Sequence, residues 1–187
     1  MSPPEPLRKI ERPLRDWEIV EARRVFGNTL NYPVVRVHEG AAWPDTANQL
    51  VLRLKRIPPP PTYTPNAITL GNHCYFPVNF PKIQAEWDQY RYSFGWLIHE
   101  LTHTWQFQYE GWGYLYRALA AQFNLGAQAY DFGDAAGLLA AIAAGKNFSS
   151  FNPEQQGAIA QTYYDYQRVN RDVAAWTPFV TEIQMRV

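Results

Sequence analysis

Apolar positions in "LRDWEIVEARRVFGN", residues 14 to 28, return at Leu14, Trp17, Val20 and Val25, near helical spacing, and Gly27-Asn28 supplies a stop. That stretch predicts an amphipathic helix. The pattern then shortens. "YPVVRVHE" is β-branched and alternating, "QLVLRLKRI" alternates apolar with polar across Leu50 to Ile57, and "AITLGNHCYFP" is an extended run interrupted at Gly71-Asn72. Three or four strands are expected. Between the second and third, the four prolines of "PPPPTYTP" remove backbone donors and enforce extended geometry, so that segment is a loop or a stiff edge.

From about Asp88 the period becomes helical, through "DQYRYSFGWLIHELTHTWQFQYE", "YLYRALAAQFNLGAQAY", "DAAGLLAAIAAG" and "PEQQGAIAQTYYDYQRVNRDVA". Turn residues separate these segments at 111–113, 131–133 and 145–152. Strands followed by helices predict an α+β domain with a small mixed or antiparallel sheet in its first half. Residues 1–12, rich in proline and charge, read as a disordered lead-in to a single domain over 13–187.

The most informative helix is "WLIHELTHTWQFQ", residues 96–108. Leu97, Ile98, Leu101 and Trp105 form its core stripe, while His99, His103, Gln106 and Glu110 follow one another on a different face. Positions four apart on a helix differ by about 400° in rotation and about 6 Å in rise, so His99 and His103 can share one ion. Glu100 stands beside that ion and not on it, where a base that takes a proton from an activated water is needed. The competing reading is two hydrogen-bonded histidines and a surface glutamate.

Composition narrows the chemistry. Seventeen basic residues balance seventeen acidic ones, with no basic block, which argues against nucleic acid as a partner. Cys74 is the only cysteine, so a metal must be held by histidine and carboxylate. The chain begins without the apolar core of a signal peptide and has no stretch long enough to span a membrane. The expectation is a cytoplasmic protein of the producing cell, with export open only to a machine that loads folded proteins.

A catalytic zinc takes three protein ligands and leaves a position for water. A third histidine six residues after His103 is absent, because Tyr109 stands there, and His38 and His73 lie upstream in predicted strands. The third ligand is therefore sought among carboxylates. Glu110 is too far along the helix; Asp131 flanks a glycine turn, where aspartate commonly caps. Glu154 opens a later helix, and Gly157 and Ala158 one turn on would let that helix approach closely. "FNPEQQ" also fits a plain helix start, with Asn152 as cap, Pro153 at the first position and Glu154 favoured by the helix dipole. Ligand and dipole readings of Glu154 both stand, with Asp131 as second choice. Gln106 is a candidate to orient a ligand. His73 is either part of a sheet edge to which a peptide could add, or a strand-end histidine beside a packed cysteine. Tyr130, Tyr163, Tyr164 and Tyr166 are available as oxyanion donors, and none stands out.

"LIHELTHTWQ" resembles the zincin-like metallopeptidase signature, in the form shared by the core domain of extracellular contractile injection systems and by Vgr-related proteins. "ARRVFGNTLNYPVVRVHEG", "AITLGNHCYFP", "GAQAYDF" and "FNPEQQGAIAQTYY" resemble further blocks of the Vgr-related group in the same order, from about Leu14 to Tyr164. The resemblance implies a zincin-like fold, zinc on His99 and His103, Glu100 as general base, and a third ligand at Glu154. The glutamate helix motif familiar in that class is replaced here by "NPEQQG". The resemblance also implies association with contractile injection or type VI secretion machinery, as a toxin-like effector that cleaves protein or peptide. A non-catalytic, zinc-containing binding or loading module of such a machine is the rival expectation.

Overall fold

The computed structural model describes residues 7–43, 66–89, 93–114, 117–118 and 126–186. Its first half holds β1 (Ile10–Arg12), α1 (Asp16–Phe26), β2 (Arg36–Glu39), β3 (Ile68–Leu70) and β4 (His73–Phe76). Its second half is helical: α2 (Gly95–Glu110), α3 (Asp134–Ala143), α4 (Pro153–Arg168) and α5 (Thr177–Met185). The expected α+β class is therefore observed, with a sheet of four strands in the order β1-β2-β4-β3. β1 and β3 pair antiparallel with their neighbours, whereas β2 and β4 are parallel, so the sheet is mixed. The predicted strand at Leu50–Ile57 and the four-proline run lie outside the described residues. No helix among the described residues is long and apolar enough to cross a membrane.

The alternation seen in the sequence sets which strand face is buried. Val37, Cys74 and Phe76 point inward and are fully buried, and they meet the stripe Leu97, Ile98, Leu101 and Trp105 of α2 within one continuous core. Gly71-Asn72 forms the turn between β3 and β4, and Gly71 has the positive φ of 65° that a side chain would resist. "YPVVRVHE" becomes a strand only from Arg36. Tyr32–Val34 makes a turn of 3-10 helix, with Pro33 in its first turn, where the missing N–H costs nothing.

One expectation is corrected, and one alternative is decided. The lead-in assigned to residues 1–12 ends earlier, because Ile10–Arg12 pairs with β2 and the Arg12 guanidinium sits between Glu18 at 2.7 Å and Glu39 at 2.6 Å. Both carboxylates are buried, so charge that read as a solvated tail is half of an internal ion-pair network. Of the two readings of His73, the strand-end histidine beside a packed cysteine is the one observed, since His73 opens β4 next to buried Cys74. β4 lies between β2 and β3, and the edge strands among the described residues are β1 and β3. His73 instead shares a 2.8 Å hydrogen bond between ring nitrogens with His38.

α5 went unanticipated. Pro178 in its first turn and the buried Phe179, Val180 and Ile183 carry a helix signal that the sequence contains. The segment predicted as a helix at 114–130 ends as a 3-10 turn at Gly126–Tyr130, and 119–125 lie outside the described residues.

Candidate metal centre

The site is built where α2 and α4 cross in opposite directions. Near its start, α2 meets the end of α4: the Gly95 N–H donates to the Asp165 carboxylate, which Ser93 also approaches at 3.2 Å. A side chain at Gly95 would collide with that carboxylate. Near its start, α4 meets the middle of α2: a Cβ at Gly157 would lie 2.7–2.9 Å from three ring atoms of His99. Each helix thus offers a glycine to a side chain of the other, and the close approach anticipated for Gly157 is observed.

That approach carries the Glu154 carboxylate to the histidines. One oxygen, Oε2, lies 3.3 Å from His99 Nε2 and 3.6 Å from His103 Nε2. The three residues form a buried group whose candidate ligand atoms all lie within 4.8 Å of one another. Atoms bound to a tetrahedral zinc at about 2.0–2.1 Å stand roughly 3.4 Å apart. Two nitrogens and one carboxylate oxygen at these separations fit such an ion. The helix start read from "FNPEQQ" is observed as well: Asn152 and Gln155 cap each other, Pro153 opens the helix and Glu154 lies in its first turn, so Glu154 stands at the positive end of α4 and beside the histidines at once.

Asp131, the second choice, is not in the group. Its carboxylate accepts from the Gly133 N–H at 2.9 Å and its carbonyl accepts from Gln155, so it shapes the turn before α3 and docks it on α4. Glu110 lies away from the cluster and pairs with Arg117 and Arg186.

Gln106 reaches the back of the His103 ring. Its Oε1 stands 2.8 Å from His103 Nδ1, and its amide nitrogen donates to Gln156 Oε1 at 2.7 Å. Gln156 in turn donates to the carbonyls of Phe148 and Phe151. Carbonyls accept only, so the direction of both amides is fixed, and His103 Nδ1 must carry the proton that Gln106 accepts. Nε2 is then the nitrogen turned to Glu154.

Glu100 is buried beside the cluster, and its carboxylate accepts from the Thr69 hydroxyl at 2.7 Å. It is therefore held by edge strand β3 and supplies no atom to the group of three. Of the tyrosines considered from sequence, Tyr164 donates to Glu21 and Tyr166 packs on Trp176. Tyr130 has its ring centroid 5.8 Å from that of His99. Tyr114, on the other flank, stacks at 6.1 Å on His103. Sequence reading missed Thr69, Tyr114 and Gln156, since none belongs to the histidine motif and only the fold brings them to it.

The charges of the site are coupled. Burial alone would pull His103 down, but Glu154, with Glu100 and Gln106, pushes it up to about 9 from an ordinary 6.5. Burial raises Glu154, yet the histidines, His103 foremost, hold it far below its ordinary 4.5. In the metal-free protein, the His103 contribution to stability is complete below pH 6.5 and is lost as pH rises through about 9. The Glu154 contribution is present above pH 4.5 and is lost as pH falls. A bound metal needs neutral imidazole and reverses the upper limit. The Tm of chelator-treated protein is expected to fall between pH 6.5 and 9, while that of metal-loaded protein holds. Scanning fluorimetry of both forms measures this, and parallel declines would contradict competition between ion and proton.

Comparison with known proteins adds one relation. The chain is 31% identical over 157 residues to the type VI secretion system spike protein VgrG2b of Pseudomonas aeruginosa, a match covering 82% of this chain. The matched stretch is 13% of the length of that protein. No family model matches the chain, and no solved structure matches it. The similarity relates this chain to one stretch of that spike protein.

Proposed function

We propose that this chain is a zinc-dependent, zincin-like metallopeptidase, with zinc held by His99, His103 and Glu154. The observation that carries the reading is the placement of Glu154 Oε2 within 3.3 and 3.6 Å of two imidazole nitrogens. Three ligands among the described residues match the donor number of a catalytic zinc, which keeps a position open. A zinc ion there supplies Lewis acidity, acidifying a water and polarising a carbonyl.

The chain's own residues do the rest. Glu100, fixed by Thr69, accepts the proton of the attacking water and returns it to the departing amine. The Gln106–Gln156 relay keeps His103 in the tautomer that presents Nε2. Burial of the histidines and of both glutamates keeps bulk water away from the charges and strengthens their interaction. The relation to a type VI spike protein favours a secretion-system effector as the setting, with protein or peptide as substrate.

The purified chain, replete with zinc, is expected to bind about one ion and to cleave denatured casein. A chelator should abolish both, and added zinc should restore both. Elemental analysis alongside the cleavage assay decides it: stoichiometric zinc without cleavage of any protein in a substrate panel would favour the loading-module reading. Absence of zinc would sink both.

A further inference from the structure

We propose that the Tyr114 hydroxyl occupies the place of a peptide main chain on edge strand β3, so that an extended substrate must displace it. This inference rests on the peptidase reading for what the displacing ligand is. The placement of Tyr114 stands apart from that reading.

Thr69 lies opposite Cys74 in the register of β3 with β4. Its carbonyl accepts from the Tyr114 hydroxyl at 2.9 Å, so it points away from the sheet. Two residues on, the Gly71 N–H faces the same hydroxyl. A carbonyl at one position and an N–H two residues later are the pair of groups that an edge strand offers to an added strand. One phenol hydroxyl, donating to the first, stands in front of both.

The rest of the residue lies over the site. Tyr114 is 1% exposed, and its ring stacks on that of His103. The Thr69 whose carbonyl it holds also fixes Glu100 through its side chain. A peptide hydrogen-bonded at Thr69 and Gly71 would therefore run between the edge and the group of His99, His103 and Glu154, where Tyr114 now lies. Gly111, with φ of 62°, and Gly113 bracket Trp112 between the end of α2 and Tyr114. A Cβ at either glycine would meet nothing within 4 Å among the described residues, so there is open space at both ends of Trp112. Trp112 itself is 60% exposed and rests on Phe107. The connection has the freedom and the room to carry Tyr114 outward.

Zinc-loaded parent and Tyr114→Phe are compared for binding of an acetylated Ala-Leu-Ala hydroxamate and for cleavage of denatured casein. The phenylalanine keeps the ring over His103 and frees both edge groups. Affinity for the hydroxamate should rise roughly three- to tenfold, the worth of one net hydrogen bond no longer displaced. KM should fall by a similar factor, with kcat and zinc content unchanged.

Equal or weaker hydroxamate binding in Tyr114→Phe would overturn the proposal, even if both proteins cleave casein. Tighter binding with no cleavage by either protein would sustain it and sink the peptidase reading. Binding by neither would sink both. In the parent alone, saturating hydroxamate should raise nitration of Tyr114 by tetranitromethane, mapped by mass spectrometry. An unchanged or lower yield overturns the proposal even if the phenylalanine variant fails to fold.

Discussion

Replacing Glu100 by Gln is expected to lower peptide hydrolysis by about 10²- to 10⁴-fold while leaving zinc content and Tm unchanged. Glutamine matches glutamate in shape, and its amide oxygen can still accept from the Thr69 hydroxyl, now 2.7 Å from the carboxylate. Neither oxygen of Glu100 belongs to the group formed by His99, His103 and Glu154, so the ion loses no ligand. What disappears is the ability to take a proton. Zinc by elemental analysis, thermal unfolding, and kcat on denatured casein separate the possibilities. Full activity in the variant would remove Glu100 from the mechanism, while loss of zinc would make it a ligand.

Gly157→Ala is expected to weaken zinc binding by roughly 10- to 100-fold. The added methyl would sit 2.7–2.9 Å from three atoms of the buried His99 ring. Relief requires that α4 move away from α2 or that the imidazole turn, and either movement separates His99 from Glu154. Overpacking of this kind costs about 1–3 kcal/mol of stability. Alanine is the better helix former by about 1 kcal/mol, which opposes that loss. A net fall in stability or in metal affinity therefore reports the collision and not the helix. Competition with a chromophoric chelator and urea unfolding give the two numbers; a variant as tight and as stable as the parent would mean the helices have slack at this crossing.

How much could be read beforehand differs between fold and site. The core stripe Leu97, Ile98, Leu101 and Trp105 was legible because helical period and burial coincide there. β2 was legible from the alternation of "YPVVRVHE", and β3 and β4 as one extended run whose interruption at Gly71-Asn72 is the turn between them. Neighbour relations were not: nothing in the residues 68–76 says that His73 belongs to an inner strand while Thr69 faces the edge. Ion pairs hid the start of the domain, since Arg12 looks solvated until Glu18 and Glu39 are seen around it.

At the site, His99, Glu100 and His103 were legible because one helix carries all three. Glu154 was ambiguous, because a ligand and a first-turn acidic residue leave the same trace in sequence. The fold shows both meanings to hold, since Glu154 lies in the first turn behind the Asn152–Gln155 cap and within reach of both histidines. Gly157 could be read as permission for a close approach, though not as contact with His99 in particular. Thr69 and Tyr114 could not be found by spacing, because they act across the sheet edge and belong to no local pattern.

The amide relay behind His103 has a sense of direction, and that has a consequence of its own. Turning Gln156 around would aim its oxygen at two main-chain carbonyls; turning Gln106 alone would set its nitrogen against Nδ1–H and its oxygen against the oxygen of Gln156. The members can only reverse together, and the carbonyls of Phe148 and Phe151 cannot reverse at all. The protonation register of a buried imidazole is thus dictated by main-chain conformation in a surface turn that touches no ligand atom. A change in that turn would speak to the centre as a tautomeric message, passed through hydrogen bonds without moving the helix on which His103 stands.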